Sequence, residues 1–303
     1  MDTVETPVDD ALLRGWPLPD PGASSDKETR GRVIVVAGCA ELPGAPVLCA
    51  EAALRAGAGK VLLGVPASIA TAVGIAVPEA RVLALPDPRD GSAAVQKSAR
   101  RLREFADHAA ALLIGPGMLD EESTCTLALT LIERHPNLPA VLDAAALGAG
   151  TTHPTTRRPV LMTPHAGELA HLRRLPREAI ETQAAAQAHE ASQRWNTVMA
   201  LKGATTFIGS PDGSLWRHDG GDVGLATAGS GDVLAGLMAG LLARGCTLEQ
   251  AATWGVALHA RAGGRLARRV GRLGYLAREI AAQVPQLQDE LAGAATPSSA
   301  AGQ

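Results

Sequence analysis

The segment Gly224-Leu-Ala-Thr-Ala-Gly-Ser-Gly-Asp-Val-Leu-Ala-Gly236 decides the predicted architecture, because it opens a long apolar helix with glycines, one hydroxyl and one carboxylate. Backbone N–H groups at a helix start have no partner within the helix, and the helix dipole favours an anion there. Gly229, Ser230 and Gly231 therefore predict a phosphate-binding turn, with Asp232 beside the phosphate as a general base. In isolation, the same residues are more typical of a tight turn whose Ser or Asp caps the helix, and it is the rest of the chain that favours the phosphate site.

The composition excludes several classes of protein. With 303 residues and 46% hydrophobic content, the chain can bury a substantial core. Its net charge is only −3 and 2% of its residues are aromatic, which argues against a nucleic-acid partner. The four cysteines lie far apart without a Cys-x-x-Cys pair, so we expect reduced thiols and neither a disulfide framework nor a zinc site.

The expected location is the cytoplasm, with no membrane partner. Asp2, Glu5, Asp9 and Asp10 give the N-terminal segment an acidic character, unlike a targeting segment. Apolar runs elsewhere in the chain fall short of membrane-spanning length.

Regular alternation of short apolar runs with helix-length segments predicts an α/β fold with a mainly parallel sheet and helices on both faces. The runs are Val33–Ala37, Lys60–Val65, Val82–Leu85, Ala110–Ile114, Ala140–Asp143, Val160–Met162 and Val198–Leu201. A late β-hairpin follows over Thr205–Gly209 and Leu215–His218, and then helices over 230–244, 247–270 and 275–284. We predict a loosely ordered leader over residues 1–28, a single domain over 29–290 and a disordered tail over 291–303.

Parallel sheets of this kind bind ligands at the carboxyl ends of their strands. Polar side chains follow the predicted strands at Asp143, His165, Glu168 and Lys202, and glycine-rich turns follow at Gly38–Ala45 and Gly115–Gly117. Each has a structural alternative, such as a buried histidine, a helix-capping glutamate or a rigid turn. For Asp143, the positioning of a water or of a metal-bound species and the capping of the following turn all stay open.

Five motifs in this order resemble the ADP/ATP-dependent (S)-NAD(P)H-hydrate dehydratase family, from about residue 30 to 285. They are Gly38…Gly44-Ala45, Ala53-Leu-Arg-Ala-Gly-Ala-Gly59, Met162-Thr-Pro-His-Ala-Gly-Glu168, Leu201-Lys-Gly203 and Gly224–Gly236. The resemblance implies a three-layer ribokinase-like fold and a carbon–oxygen lyase that repairs damaged nicotinamide nucleotides. Such an enzyme dehydrates the S-epimer of hydrated NADH or NADPH at the expense of ADP or ATP. It phosphorylates the hydrate hydroxyl and then eliminates phosphate, which leaves NAD(P)H and AMP or ADP.

The resemblance also implies roles for individual residues. Asp232 matches the catalytic base, which also contacts the hydrate, and Ala45, Gly117 and His165 match further hydrate-binding positions. The nucleotide-binding positions are Lys202, Gly203, Ala204, Thr205, Thr206, Thr227, Gly229, Ser230 and Gly231. No residue is assigned to a metal, because Mg²⁺ is expected to arrive with the nucleotide phosphates. The implied partners are a separate NAD(P)H-hydrate epimerase in the same pathway and further copies of the chain, since the family often forms tetramers.

Four positions depart from the family pattern: Ala145 replaces a second aspartate, Cys39 a serine, Pro43 a tyrosine or similar residue, and Asp222 an asparagine. Most of these departures concern the hydrate side of the site. Two alternatives therefore stay open: a small-molecule kinase of the same superfamily acting on a thiazole or sugar alcohol, and a nucleotide-binding regulator with weakened activity. A nicotinamide-dependent oxidoreductase is disfavoured because no Gly-x-Gly-x-x-Gly follows the first strand.

Overall fold

The computed structural model of the chain describes residues 4–20, 22, 26–87, 92–152 and 158–292. Within these residues, ten strands form one sheet. The strands are β1 Glu5–Pro7, β2 Arg32–Val36, β3 Lys60–Pro66, β4 Arg81–Leu85, β5 Ala111–Ile114, β6 Ala140–Leu142, β7 Val160–Met162, β8 Val198–Leu201, β9 Thr205–Gly209 and β10 Leu215–Asp219. Their order across the sheet is β1-β10-β9-β8-β7-β6-β5-β2-β3-β4. β2 to β8 pair in parallel, whereas β9 is antiparallel to both β8 and β10.

Helices cover both faces of this sheet. They are α1 Asp10–Gly15, α2 Ala45–Arg55, α3 Ala70–Ala76, α4 Ser92–Ala106, α5 Glu121–Arg134, α6 Ala166–Arg173, α7 Arg177–Thr182, α8 Ala184–Trp195, α9 Ser230–Ala243, α10 Leu248–Arg269 and α11 Ala277–Ala292. α2, α3 and α9 to α11 pack on one face, and α4 to α8 pack on the other. The predicted fold class is confirmed: a three-layer, mainly parallel α/β structure with a late hairpin.

Strand β2 is apolar at consecutive positions because its side chains enter a core on each face of the sheet. Val33 and Val35 enter the core under α9, while Ile34 and Val36 enter the core under α5. Because successive strand residues point to opposite faces, a sheet covered on both sides needs apolar residues at every position.

Helices α2 and α9 lie in parallel, and their backbones are in close contact. A Cβ atom at Gly236 would overlap the carbonyl oxygen of Cys49, and one at Gly240 would overlap that of Ala53. The two glycines are one turn apart, as are their partners, so α9 presents a stripe without side chains to α2. This contact brings the amino ends of both helices to the same edge of the sheet.

The N-terminal segment packs onto the domain, in contrast to the predicted loosely ordered leader. β1 extends the sheet by pairing with β10, and Leu13 of α1 is completely buried. The Trp16 ring stacks on the Trp216 ring at a centroid distance of 5.9 Å. The backbone carbonyl of Trp16 accepts a 2.8 Å hydrogen bond from Trp254 Nε1. The prediction was wrong for residues 4–20, because a three-residue strand and a short helix carry almost no periodic signal.

At the other end of the chain, α11 continues to Ala292, beyond the predicted limit of residue 284. The predicted tail otherwise lies outside the described residues. Over the described parts of the chain, every helix is too short or too polar to cross a membrane.

Candidate functional site

The polar residues predicted after separate strands meet at the carboxyl edge of the sheet. Asp143 follows β6, His165 follows β7 and Lys202 follows β8. His165 and Lys202 form an isolated parallel bridge, and the Lys202 amide donates to the Pro164 carbonyl at 2.8 Å. The backbone thus brings these side chains together, as the strand-end argument predicted.

Lys202 and Asp143 form the central ion pair. Lys202 Nζ donates to Asp143 Oδ1 at 3.0 Å, and the Thr163 hydroxyl donates to the same oxygen at 2.7 Å. The Asp143 side chain is only 5% exposed, so both donors stabilise a carboxylate that water scarcely reaches. Burial alone would lower the pKa of Lys202, but the charges of Asp143 and Glu168 outweigh it and raise that pKa.

His165 begins helix α6 as its N-cap. Its Nδ1 accepts a 3.1 Å bond from the Glu168 amide, while the His165 amide donates to Glu168 Oε2 at 2.7 Å. This reciprocal pair is a capping box, which fixes the ring at the helix start. The imidazole itself stays exposed, so the capping role and contact with a ligand are compatible.

Helix α9 begins at Ser230, after Gly229 in the left-handed region with φ of 86°. Among the described residues no side chain caps this helix. The alternative in which Ser230 or Asp232 serves as the cap is therefore wrong. The Ser230 amide donates to the Thr227 carbonyl at 3.2 Å, which leaves the next first-turn N–H groups of α9, those of Gly231 and Asp232, to an external acceptor. Lys202 Nζ lies beside them, since a Cβ at Gly231 would be 3.6 Å from that nitrogen.

Asp232, in the first turn of α9, is partly buried beside the ion pair. Burial and the charge of Asp143 raise the pKa of Asp232 to about 6, while the charge of Lys202 opposes that rise. Its carboxylate is thus ionised at neutral pH but is far more basic than an exposed aspartate. A group of this kind is suited to accept a proton from a hydroxyl.

Ala45 and Gly117 come together where the loops after β2 and β5 meet. A Cβ at Gly117 would lie 2.5 Å from that of Ala45 and 3.3 Å from Gly38 Cα. Small residues therefore let these two loops pack closely together beside the amino end of α2.

The nucleotide-binding positions divide between the β8–β9 connection and the turn before α9. Gly203 and Ala204 are exposed, Thr205 and Thr206 begin β9, and Thr227 precedes α9 by three residues. A cavity of about 920 Å³ opens between this connection and α7–α8, lined by His165, Lys202, Gly203, Ala204, Thr205 and Phe207 among others. Asp232 does not line it, so the cavity adjoins the reacting centre and does not contain it.

Sequence alone left the role of Asp143 open and did not single out His259. Asp143 is the partner of Lys202, a contact between residues far apart in the chain. His259, in the middle of α10, lies 3.0 Å from the Ser230 hydroxyl. The available signal for His259 was a titratable residue within the otherwise apolar stretch Gly255–Ala260. Among the described residues, no group of three or more histidine, cysteine or carboxylate side chains could hold a metal ion.

Comparison with known proteins identifies the family to which the chain belongs. The family model described as NAD(P)H-hydrate dehydratase matches residues 33–286. The chain belongs to this family. The ADP-dependent (S)-NAD(P)H-hydrate dehydratase of Xanthomonas campestris is 46% identical over 281 residues, which are 93% of this chain and 95% of that protein.

Two solved structures agree with this membership. The ADP/ATP-dependent NAD(P)H-hydrate dehydratase of Bacillus subtilis, crystallised with ATP and Mg²⁺, gives a TM-score of 0.82 at 28% identity, covering 96% of this chain and all of that one. A ribokinase-like superfamily protein from Enterococcus faecalis gives 0.81 at 25% identity, covering 95% and 96%. The family resemblance and the ribokinase-like fold are therefore confirmed.

Proposed function

We propose that this protein is an ADP- or ATP-dependent (S)-NAD(P)H-hydrate dehydratase, a lyase that repairs hydrated NADH and NADPH. The observation that carries the proposal is Asp232, a carboxylate with a pKa of about 6, beside the Lys202 ammonium at an uncapped helix start. This arrangement joins a proton acceptor to a phosphate-binding turn. The 46% identical relative bears the same activity in its name.

The nucleotide is proposed to lie across the start of α9 and the β8–β9 connection. An ammonium has three N–H donors, and Asp143 accepts one of those of Lys202, so others can reach a phosphate. The proposed contacts are Lys202, Gly203, Ala204, Thr205, Thr206, Thr227, Gly229, Ser230 and Gly231. Asp143 is proposed as a positioning residue, because it holds the ammonium at the helix start before a nucleotide arrives.

The hydrate is proposed to bind on the other side of Asp232, towards Ala45, Gly117 and His165. The exposed His165 imidazole can donate to the hydrate, and the small residues Ala45 and Gly117 present almost no side chain to hinder its approach. The departures Ala145, Cys39 and Pro43 lie in the loops of this half of the site. They concern the choice and fit of the hydrate rather than the nucleotide contacts.

The proposed chemistry has two steps. Asp232 accepts the proton of the hydrate hydroxyl, whose oxygen bonds to the terminal phosphorus of ADP while the bond from that phosphorus to the bridging oxygen breaks and AMP leaves. The C–O bond of the phosphorylated hydrate then breaks and phosphate departs with the electron pair. Solvent water takes the proton that the neighbouring carbon loses, and the C–H electron pair forms the double bond that restores the dihydronicotinamide. Lys202 and the α9 N–H groups stabilise the charge on the phosphoryl oxygens.

Mg²⁺ is proposed to enter with the nucleotide. Asp143 already accepts two hydrogen bonds from protein donors, so a metal held entirely by protein groups does not suit this site. Nucleotide phosphates and water can provide the oxygen ligands that Mg²⁺ requires, and the ion neutralises part of their charge. The cytoplasmic location, the homo-oligomer and the separate epimerase partner remain predictions that belong to this proposal.

The deciding experiment is incubation of the purified protein with the S-epimer of hydrated NADH, Mg²⁺ and either ADP or ATP. We expect reduced-nicotinamide absorbance to return in step with release of inorganic phosphate. A stable phosphorylated product without recovered absorbance would favour the alternative of a small-molecule kinase. Nucleotide binding with neither change would favour the regulator.

A further inference from the structure

Residues Gly255, His259 and Gly263 form one stripe of α10, because they are spaced four apart. A Cβ at Gly255 would lie 2.7 Å from Met238 Cγ in α9, and one at Gly263 would lie 2.6 Å from the Leu225 side chain. The two glycines thus bring α10 against α9 and the turn before it. His259, between them, is held at a fixed distance from the first residue of α9.

The imidazole of His259 contacts that residue, Ser230, twice. His259 Nε2 lies 3.1 Å from the Ser230 carbonyl oxygen and 3.0 Å from its hydroxyl oxygen. A carbonyl oxygen only accepts hydrogen bonds, so this contact favours the tautomer with the proton on Nε2. Burial lowers the pKa of His259 to about 4, opposed by this bond and reinforced by the charge of Lys202. The ring is therefore neutral.

This tautomer determines whether the hydroxyl hydrogen of Ser230 is available for another acceptor. The single Nε2–H is shared by the carbonyl and the hydroxyl oxygen, and both act as acceptors. The hydrogen of the Ser230 hydroxyl is not used by His259 and can be donated elsewhere. The adjacent acceptor in the proposed function is a phosphate oxygen at the start of α9.

We propose that His259 is a positioning residue that orients the first turn of α9 and leaves the Ser230 hydroxyl free to donate to the phosphate of the bound nucleotide. It acts through Ser230 and not by touching the nucleotide. This inference rests on the proposed nucleotide site, but it does not require that the hydrate be the second substrate.

The test compares His259→Phe, which keeps a flat ring and removes the donor, with His259→Gln, which keeps an N–H in a similar place. We expect the dissociation constant of ADP, measured by titration calorimetry, to rise about tenfold in His259→Phe, the effect of one lost hydrogen bond. The Gln variant should stay within about threefold of the wild type by the same reasoning. The KM for the hydrate should be unchanged in both.

Ser230→Ala, alone and combined with His259→Phe, measures whether the two residues act together on ADP binding. We expect it to weaken ADP binding by about tenfold in the wild-type background and to have little further effect together with His259→Phe. Thr253→Val is the matched control, since Thr253 is a buried residue of α10 whose hydroxyl has no hydrogen-bond partner among the described residues. This control should bind ADP like the wild type.

A second measurement determines the protonation of the His259 ring in the wild-type protein. Two-bond ¹⁵N–¹H correlation spectra of histidine-labelled protein should show a neutral, Nε2-protonated ring, assigned by its loss in His259→Gln. A ring protonated at Nδ1, or a folded His259→Phe that binds ADP with wild-type affinity, would overturn the inference. So would a wild-type protein that binds neither ADP nor ATP. If the wild type binds nucleotide without regenerating NADH, the proposed function fails while these affinities still decide the role of His259.

Discussion

Replacement of Asp232 by asparagine is the sharpest test of the proposed mechanism, because it separates catalysis from stability. Asparagine keeps the shape of the side chain and removes the proton acceptor. Loss of a general base typically lowers the rate by about 10² to 10⁴-fold, and Asp232 also aligns the hydroxyl that attacks. We therefore expect a loss near the upper end of that range.

The same change should make the free protein more stable at neutral pH. Asp232 has a folded-state pKa of about 6 against an ordinary value of 3.8, because burial and Asp143 disfavour its charge. An acid whose pKa is raised on folding stabilises the fold fully below pH 3.8, and this contribution is lost as the pH rises through about 6. The difference corresponds to at most about 3 kcal/mol at pH 7. The advantage of the asparagine variant should shrink as the pH falls from 7 to 4.

Nucleotide affinity is the third property that the Asp232→Asn change should affect in a predictable way. A carboxylate near bound phosphates repels them, so Asp232→Asn should bind ADP and ATP as well as the wild type or slightly better. In the wild type, kcat/KM for the hydrate should rise as the pH increases through about 6, since the base must be ionised. In the asparagine variant, kcat/KM should not rise through this pH range.

The assays are recovery of reduced-nicotinamide absorbance under saturating ADP, titration calorimetry with ADP, and urea unfolding at pH 7 and pH 4. Asp289→Asn, an exposed carboxylate of α11, is the control for charge alone and should match the wild type in all three. Retention of more than about a tenth of the wild-type rate, against the ~10²-fold minimum for a lost base, would refute the catalytic assignment. Lower stability at pH 7 than at pH 4, relative to the wild type, would refute the electrostatic account.

Lys202→Met should weaken ADP binding roughly 10- to 150-fold by removing a charge-assisted contact, and calorimetry showing unchanged affinity would contradict this. The same variant leaves Asp143 buried without its cation, so urea unfolding should show a loss of about 3–5 kcal/mol. His165→Ala should raise the KM for the hydrate and cost about 1 kcal/mol of unfolding free energy, whereas His165→Asn, which can still cap α6, should raise KM alone. A loss of nucleotide affinity with intact hydrate binding would show that His165 is only structural. Gly236→Ala should lower the unfolding free energy by about 1–3 kcal/mol, because its methyl group meets the Cys49 carbonyl, and an unchanged thermal midpoint would contradict the close contact between α2 and α9.

Much of the architecture could be predicted from local sequence patterns. The strands Val160–Met162, Val198–Leu201 and Thr205–Gly209 have the predicted limits. The other predicted strands differ by one residue at one end or, for β2, at both ends. The reason is that a buried parallel strand must be apolar at every position, and a run of consecutive apolar residues can be recognised from the sequence alone. β1 was missed because its three residues include a glutamate, a threonine and a proline and are held by pairing with β10.

The sequence by itself therefore determined the fold class, the family and the edge of the sheet where the polar residues meet. All three depend on periodicity, motif order and the rule that parallel strands end on the same side. Only the tertiary structure decided that Asp143 holds Lys202, that His259 reaches Ser230 and that Asp232 has a pKa of about 6. These properties depend on burial and on charges from elements far apart in the chain, and distances between such elements are set by packing such as that of Gly236 on Cys49.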